Sequence, residues 1–305
     1  MSLHMELAWL WIPATIAAAA FQAGRNAAQR SLTGTLGTLG ATQVRFLFGF
    51  PFALLFLAVV LAWEGHPAPG VNTAFLGYIL AGAITQIAAT ALMLAAMKER
   101  SFVTVTAWIK TEPIQVALFG MAVLGDPMSW LGMGAILLAS VGVVLMSRIS
   151  AGAMAGGGSW RPIFLGLFSG SMFAISVVFF RGAILQIGSG SFVLDSTWAL
   201  VWSLGIQVLL LMAWMLLFDR KLLVACARAW LPSIPGGFLG ASASQCWFLA
   251  FALTSAANVR TLGLIEVLFA QMISRSFFAQ TPTRRETVGI VLIVAGVALL
   301  VSQAS

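Results

Sequence analysis

Apolar residues in this chain come in long uninterrupted runs, not in the alternating or every-third-and-fourth patterns of a surface that meets water. Ten runs are each of membrane length, since about 20 residues rising roughly 1.5 Å apiece cross about 30 Å of hydrocarbon. They fall at about 7–29, 38–63, 73–97, 102–124, 129–148, 162–186, 192–218, 233–254, 258–278 and 286–303. The pattern predicts an all-α polytopic membrane protein with ten transmembrane helices. Few connections exceed about a dozen residues, which leaves nothing for a separate soluble domain. Between the fifth and sixth runs, Ser150 to Ser159 has the Gly, Ala and Ser content of a flexible linker. The chain therefore reads as 1–149, a linker at 150–160, and 161–305.

The two halves resemble each other. A gapless shift of 154 positions places Glu112 on Glu266, Ile136 on Ile290, Leu138 on Leu292, Gly142 on Gly296, Val143 on Val297 and Leu145 on Leu299. Apolar matches alone carry little weight in membrane helices, whose alphabet is small; the matched glutamates carry more. Five spans is an odd number, so the second half must insert upside down relative to the first. Two inverted five-helix repeats are a transporter architecture, with the site expected near the membrane midplane.

The polar positions inside the runs are the candidate site. Trp108-Ile109-Lys110-Thr111-Glu112-Pro113 interrupts the fourth run, and an ionisable group at that depth costs at least roughly 2.5–3.5 kcal/mol unless it faces protein or a watery cavity. Lys110 and Glu112 are two residues apart, hence on nearly opposite helix faces, and each needs a partner elsewhere. Glu112, or Glu266 in its place, is expected to couple transport to protons; if Lys110 approaches Glu266, Glu112 is the one left free to load and release a proton. The alternative is that both carboxylates are static acceptors tying helix ends. Pro113 removes a backbone hydrogen bond at the same level. Further candidates for the pathway are Trp108, Gln22 and Asn26 in the first run, Gln86 in the third, Gln245 in the eighth and Gln271 in the ninth. Arg25 either belongs with Gln22 and Asn26 or snorkels to the interface. Thr90, Met93 and Met97 share a helical face with Gln86, and Ser242 and Leu249 one with Gln245. Such stripes are more often packing. Arg45 and Asp195 read as interfacial groups or a structural pair, and the glycines of the fifth and tenth runs as sites of close helix packing.

Composition narrows the function. With 60% hydrophobic and 8% charged residues, the chain cannot cover a soluble globule. Its net charge of +7 is scattered between apolar runs and not gathered in a stripe, so nucleic acid is not the partner and membrane orientation explains the charge. Odd-numbered loops and their flanks hold Arg25, Arg30, Arg45, Lys98, Arg100, Arg148, Arg161, Arg220, Lys221, Arg228, Arg275, Arg284 and Arg285, thirteen cations against Arg181 and Arg260 on the other side. The positive-inside rule then puts both termini outside the cytoplasm, in the periplasm for a bacterial inner membrane. Cys226 and Cys246 read as free thiols, and no cleaved signal peptide is expected. His4 and His66 lie outside the runs, and no phosphate-binding loop, metal cluster or nucleophile–base set is present. No cofactor or metal is expected. A secondary transporter of a small amphipathic molecule fits best; the alternatives are a membrane-embedded enzyme modifying lipids and a non-catalytic channel or scaffold. The 11 Trp and 22 Phe read first as core and interfacial residues, not as a binding site for an aromatic substrate.

Two five-helix halves, each with a glutamate in its fourth helix and glycines in its fifth, together with Thr111-Glu112-Pro113 and Leu124-Gly125-Asp126, resemble the drug/metabolite transporter superfamily in its bacterial EamA-type branch. The resemblance implies export of small metabolites by alternating access, and relatives include exporters of amino acids, aromatic ones among them. It leaves monomer and homodimer open, and its members are more often drawn with both termini inside, against the charge bias here. The second half departs from the pattern, with Val267 at the place of Pro113 and Gln280 at that of Asp126. Without the proline, the ninth helix is expected to be straighter than the fourth.

Overall fold

The computed structural model describes residues 9–65, 67–99, 105, 108–146, 160–269 and 284–303. Among them all regular structure is helical. The elements are α1 (Trp11–Glu64), α2 (Thr73–Glu99), α3 (Glu112–Leu124), α4 (Trp130–Met146), α5 (Arg161–Leu185), α6 (Phe192–Phe218), α7 (Arg220–Arg228), α8 (Trp230–Leu253), α9 (Ala256–Leu262) and α10 (Arg284–Val301), with a 3-10 turn at Gly263–Ile265. Among the described residues, five helical stretches are long and apolar enough to cross a membrane: Leu39–Glu64, Thr73–Met97, Arg161–Leu185, Phe192–Phe218 and Trp230–Leu253. Glu112–Leu124, Trp130–Leu145 and Thr287–Val301 are shorter apolar helices. The linker, His4, His66, Gln271 and Gln280 lie wholly or largely outside the described residues.

The boundaries expected from hydropathy need three corrections. The first two runs are joined in one helical element: α1 departs from helical geometry at Gly37, with φ 64° and ψ 179°, a conformation that a residue with a Cβ rarely adopts. A single glycine replaces the expected loop. The run at 233–254 is preceded by α7, whose N-cap Asp219 accepts from the Leu222 backbone N–H at 3.0 Å. The ninth run is the third case. Among the described residues it runs as α9, the 3-10 turn and a further helical stretch beginning at Glu266, with Leu262, Gly263 and Glu266 all in the right-handed helical region.

The chain forms two compact units, which are not the two sequence halves. The first takes Met1–Ile84 and Phe179–Thr254, the second Thr85–Val178 and Ser255–Ser305. In the first, α8 and α6 pack on α1, and α7 closes over the break in α1. There Leu32, Leu36, Ala41 and Val44 meet Met215 and Cys226 in a buried apolar cluster. In the second, α4 and α10 cross so closely that a Cβ on Gly142 would stand 2.7 Å from the Gly289 carbonyl oxygen, and one on Gly296 2.7 Å from that of Ala135. The two glycines matched by the repeat thus serve the packing role expected of them, where small residues let helix backbones approach.

Candidate functional site

The fourth run is helical at Trp108 and Ile109, turns at Lys110 and Thr111, and restarts as α3 at Glu112. The turn is held from both sides. The Thr111 N–H donates to the Trp108 carbonyl at 3.3 Å, its Oγ1 donates to the same carbonyl at 2.8 Å, and Gln115 Nε2 donates to Thr111 Oγ1 at 3.2 Å. Pro113 falls in the first turn of α3, where its missing N–H would have had no intrahelical acceptor. Glu112 therefore stands at a helix N-terminus, where the aligned peptide dipoles favour negative charge. The ninth run repeats this arrangement. Glu266 follows the 3-10 turn and donates its backbone N–H back to Gly263 and Leu264.

Each glutamate is gripped by a cation from the other sequence half. Lys110 Nζ lies 3.3 Å from Glu266 Oε2, the approach expected from sequence. Arg260 Nη2 lies 2.7 Å from Glu112 Oε2. This second pair overturns the expectation that Glu112 stands free to titrate: the arginine on α9 occupies one carboxylate oxygen. The pairs differ in character. The Glu112 side chain is 4% exposed and bonded to a guanidinium, whereas that of Glu266 is 13% exposed and faces an ammonium at longer range. Glu112 Oε1 is buried with no hydrogen-bond partner among the described residues. Lys110, Glu112, Pro113, Arg260, Gly263, Leu264 and Glu266 together line one small cleft, with room for little more than a water molecule. All seven belong to the second compact unit.

Among the described residues, the other candidates do not join this cluster. Trp108 lies against Gly166 of α5 and, with Met93 and Met97, packs on Ala96, Val105 and Ile109. Gln86 accepts the Thr90 hydroxyl on its backbone carbonyl at 2.9 Å. In the first unit Gln22 Oε1 accepts from Trp247 Nε1 at 3.1 Å, and Gln245 Nε2 donates to Thr197 Oγ1 of α6 at 2.9 Å. Arg25 is buried and donates to Asn26 Oδ1 at 2.7 Å, so it does not snorkel. Arg45 and Asp195 are no pair: the Arg45 guanidinium stands 4.9 Å from the Phe46 ring centre, and Asp195 Oδ1 accepts from the Ser189 N–H at 3.1 Å.

Arg260 is the residue that sequence reasoning missed. It falls among the loop charges of the positive-inside bias, yet it lies inside the ninth run at 258–278, six positions before Glu266. An arginine within an apolar run carries the same demand for a partner as the glutamates did.

Two helix breaks, each followed by a glutamate held by a cation from the other half, make an internally repeated membrane protein, and the sequence profile of the EamA-like transporter family matches it twice, over residues 9–148 and 160–302. The chain belongs to the EamA-like transporter family. That family is part of the drug/metabolite transporter superfamily, so the protein is a multi-pass membrane protein of transporter type. No curated protein sequence matches it. A solved crystal structure similar to this EamA-like chain covers 96% of it and 97% of its own length at 15% identity, with a TM-score of 0.70, a likeness of fold alone.

Proposed function

We propose that this EamA-like protein is a secondary active transporter that exports a small amphipathic metabolite, an amino acid or an analogue, across the inner membrane by alternating access. In this reading ten crossings form two inverted halves, and the crossed ion pairs couple transport to protons. The observation that carries the reading is the paired arrangement itself. Broken helices with ionised side chains inside apolar runs are tolerated where they line a site. Four such groups, neutralised pairwise between the halves, tie any rearrangement of α3 against α9 to the making and breaking of charge contacts.

In this reading the two pairs take different roles. Glu112 with Arg260 is short, buried and guanidinium-bonded, the features of a permanent tie. Glu266 with Lys110 is longer and more exposed. A proton on Glu266 cancels the charge that holds Lys110, which frees the pre-break segment of the fourth run. Glu266 is thus the proton carrier in this mechanism, in the place first given to Glu112. The test is Glu266→Gln in proteoliposomes loaded with amino acids from a panel that protects overexpressing cells. Substrate exchange should persist while pH-driven net flux is lost. Full pH-driven flux by Glu266→Gln removes Glu266 from the coupling step.

A further inference from the structure

We propose that the outward face of α7 is a binding surface for the headgroups of anionic phospholipids. Nine residues, Arg220 to Arg228, make a helix about 13 Å long. Single residues, Asp219 and Ala229, join it to α6 and α8, both of membrane-spanning length. With no loop to carry it away, α7 must lie at the boundary where those two spans leave the hydrocarbon.

At about 100° per residue the helix has two distinct faces. Leu222, Leu223 and Cys226 point inward, onto the cluster around the break in α1. Arg220, Lys221, Val224 and Arg228 are exposed. The three cations fall within an arc of about 100°. Arg220 is steadied by a 2.9 Å hydrogen bond from its Nε to the Leu216 carbonyl. Immediately beside them Phe218 is 72% and Trp230 54% exposed, apolar surface suited to acyl chains and to the interfacial belt. Within about one helical turn the surface passes from large apolar side chains to guanidinium and ammonium groups. That succession matches an acyl chain followed by a phosphate, and a helix of this type lies in the membrane interface. Three cations and no exposed carboxylate on the face select an anionic headgroup over a zwitterionic one, on the order of fivefold for each cation close to the surface.

The test uses the full chain in vesicles of phosphatidylcholine with phosphatidylglycerol as the minor component. A fluorophore is attached at Val224→Cys, with Cys226 and Cys246 replaced by Ala. Quenching by headgroup-labelled phosphatidylglycerol should exceed quenching by headgroup-labelled phosphatidylcholine severalfold. The excess should vanish when Arg220, Lys221 and Arg228 are all changed to Gln. Equal quenching by the two lipids before those changes overturns the proposal, and so does an excess that survives them. If the triple variant does not fold, a salt titration of the unaltered basic face decides: loss of the excess near 1 M salt supports a charge-based surface, and persistence overturns it.

Discussion

Removing the Glu112 charge leaves the Arg260 guanidinium, 18% exposed, without its 2.7 Å counterion. At an effective dielectric of about 20, two unit charges this close attract by roughly 4–6 kcal/mol. Desolvating both groups on folding offsets most of that gain. The intact pair is therefore worth little net, but removing one partner of such a pair costs about 3–5 kcal/mol. Glu112→Gln keeps an acceptor oxygen, which places it at the lower end, near about 3 kcal/mol. On the scale of about 2–4 °C per kcal/mol, the apparent melting temperature should fall by roughly 6–12 °C. Arg260→Gln should cost a similar amount by stranding the carboxylate. Combining the two substitutions removes both charges, so the double variant should recover most of the loss. The assay is thermal unfolding of the four proteins in one detergent, read by near-ultraviolet circular dichroism. Should Glu112→Gln melt within about a degree of the parent, or should the two losses simply add, the tight pair is not the tie described here.

Gly142→Ala places a Cβ against the Gly289 carbonyl and the Ile293 backbone nitrogen; a destabilisation of about 1–3 kcal/mol is expected by chemical denaturation. Gly134→Ala, with open space around the position, should be neutral or stabilising, and equal effects at both sites would refute the close crossing. Gln86→Cys and Gln245→Cys, if these positions line the pathway, should react with a small water-soluble thiol reagent once Cys246 is removed. Cys226 should stay silent at neutral pH, because burial first and the Asp219 carboxylate second push its thiol above its ordinary value. Protection of both introduced thiols in every condition would make them packing residues. From the charge bias, a reporter active only in the periplasm and fused after Ser305 should be active; activity of a cytoplasmic reporter at the same fusion would reverse the orientation.

The glutamates were legible because charge inside an apolar run is expensive, and the repeat shift of 154 made each one evidence for the other. The Lys110–Glu266 contact followed from the same argument, since Lys110 had no partner along its own helix. Arg260 was hidden by a boundary problem. Near the end of a hydropathy window an arginine reads as a loop residue, and only the fold places it on α9 beside Glu112. The 3-10 turn at Gly263–Ile265 was hidden for a related reason: proline announces an interruption, while these three residues carry no such signal. Gly37 misled in the opposite direction. Gly34 and Gly37 signal a loop, yet one residue with positive φ redirects α1 without ending it. Nor does the sequence shift foretell that the compact units cut across the halves, because local periodicity carries no information about which helices dock.

The two ion pairs are related by the repeat but are not equivalent, and the difference is written in the chain. In the first half the cation precedes its own glutamate by two residues, Lys110 and Glu112; in the second by six, Arg260 and Glu266. Within each half the cation does not pair with its own glutamate; each is paired across the halves instead. Each such group costs at least roughly 2.5–3.5 kcal/mol in hydrocarbon. Docking the fourth run on the ninth brings each of these cations to the other half's glutamate, which ties the pairing of these two segments to folding. The exchange of lysine for arginine then separates two tasks. Arginine's fixed fork holds Glu112 where the fold needs permanence. Lysine's flexible ammonium holds Glu266 by a longer contact, the one that a proton would dissolve in the proposed mechanism. A Lys110→Arg change would give both sites the same grip, and on this argument it should raise stability while slowing turnover.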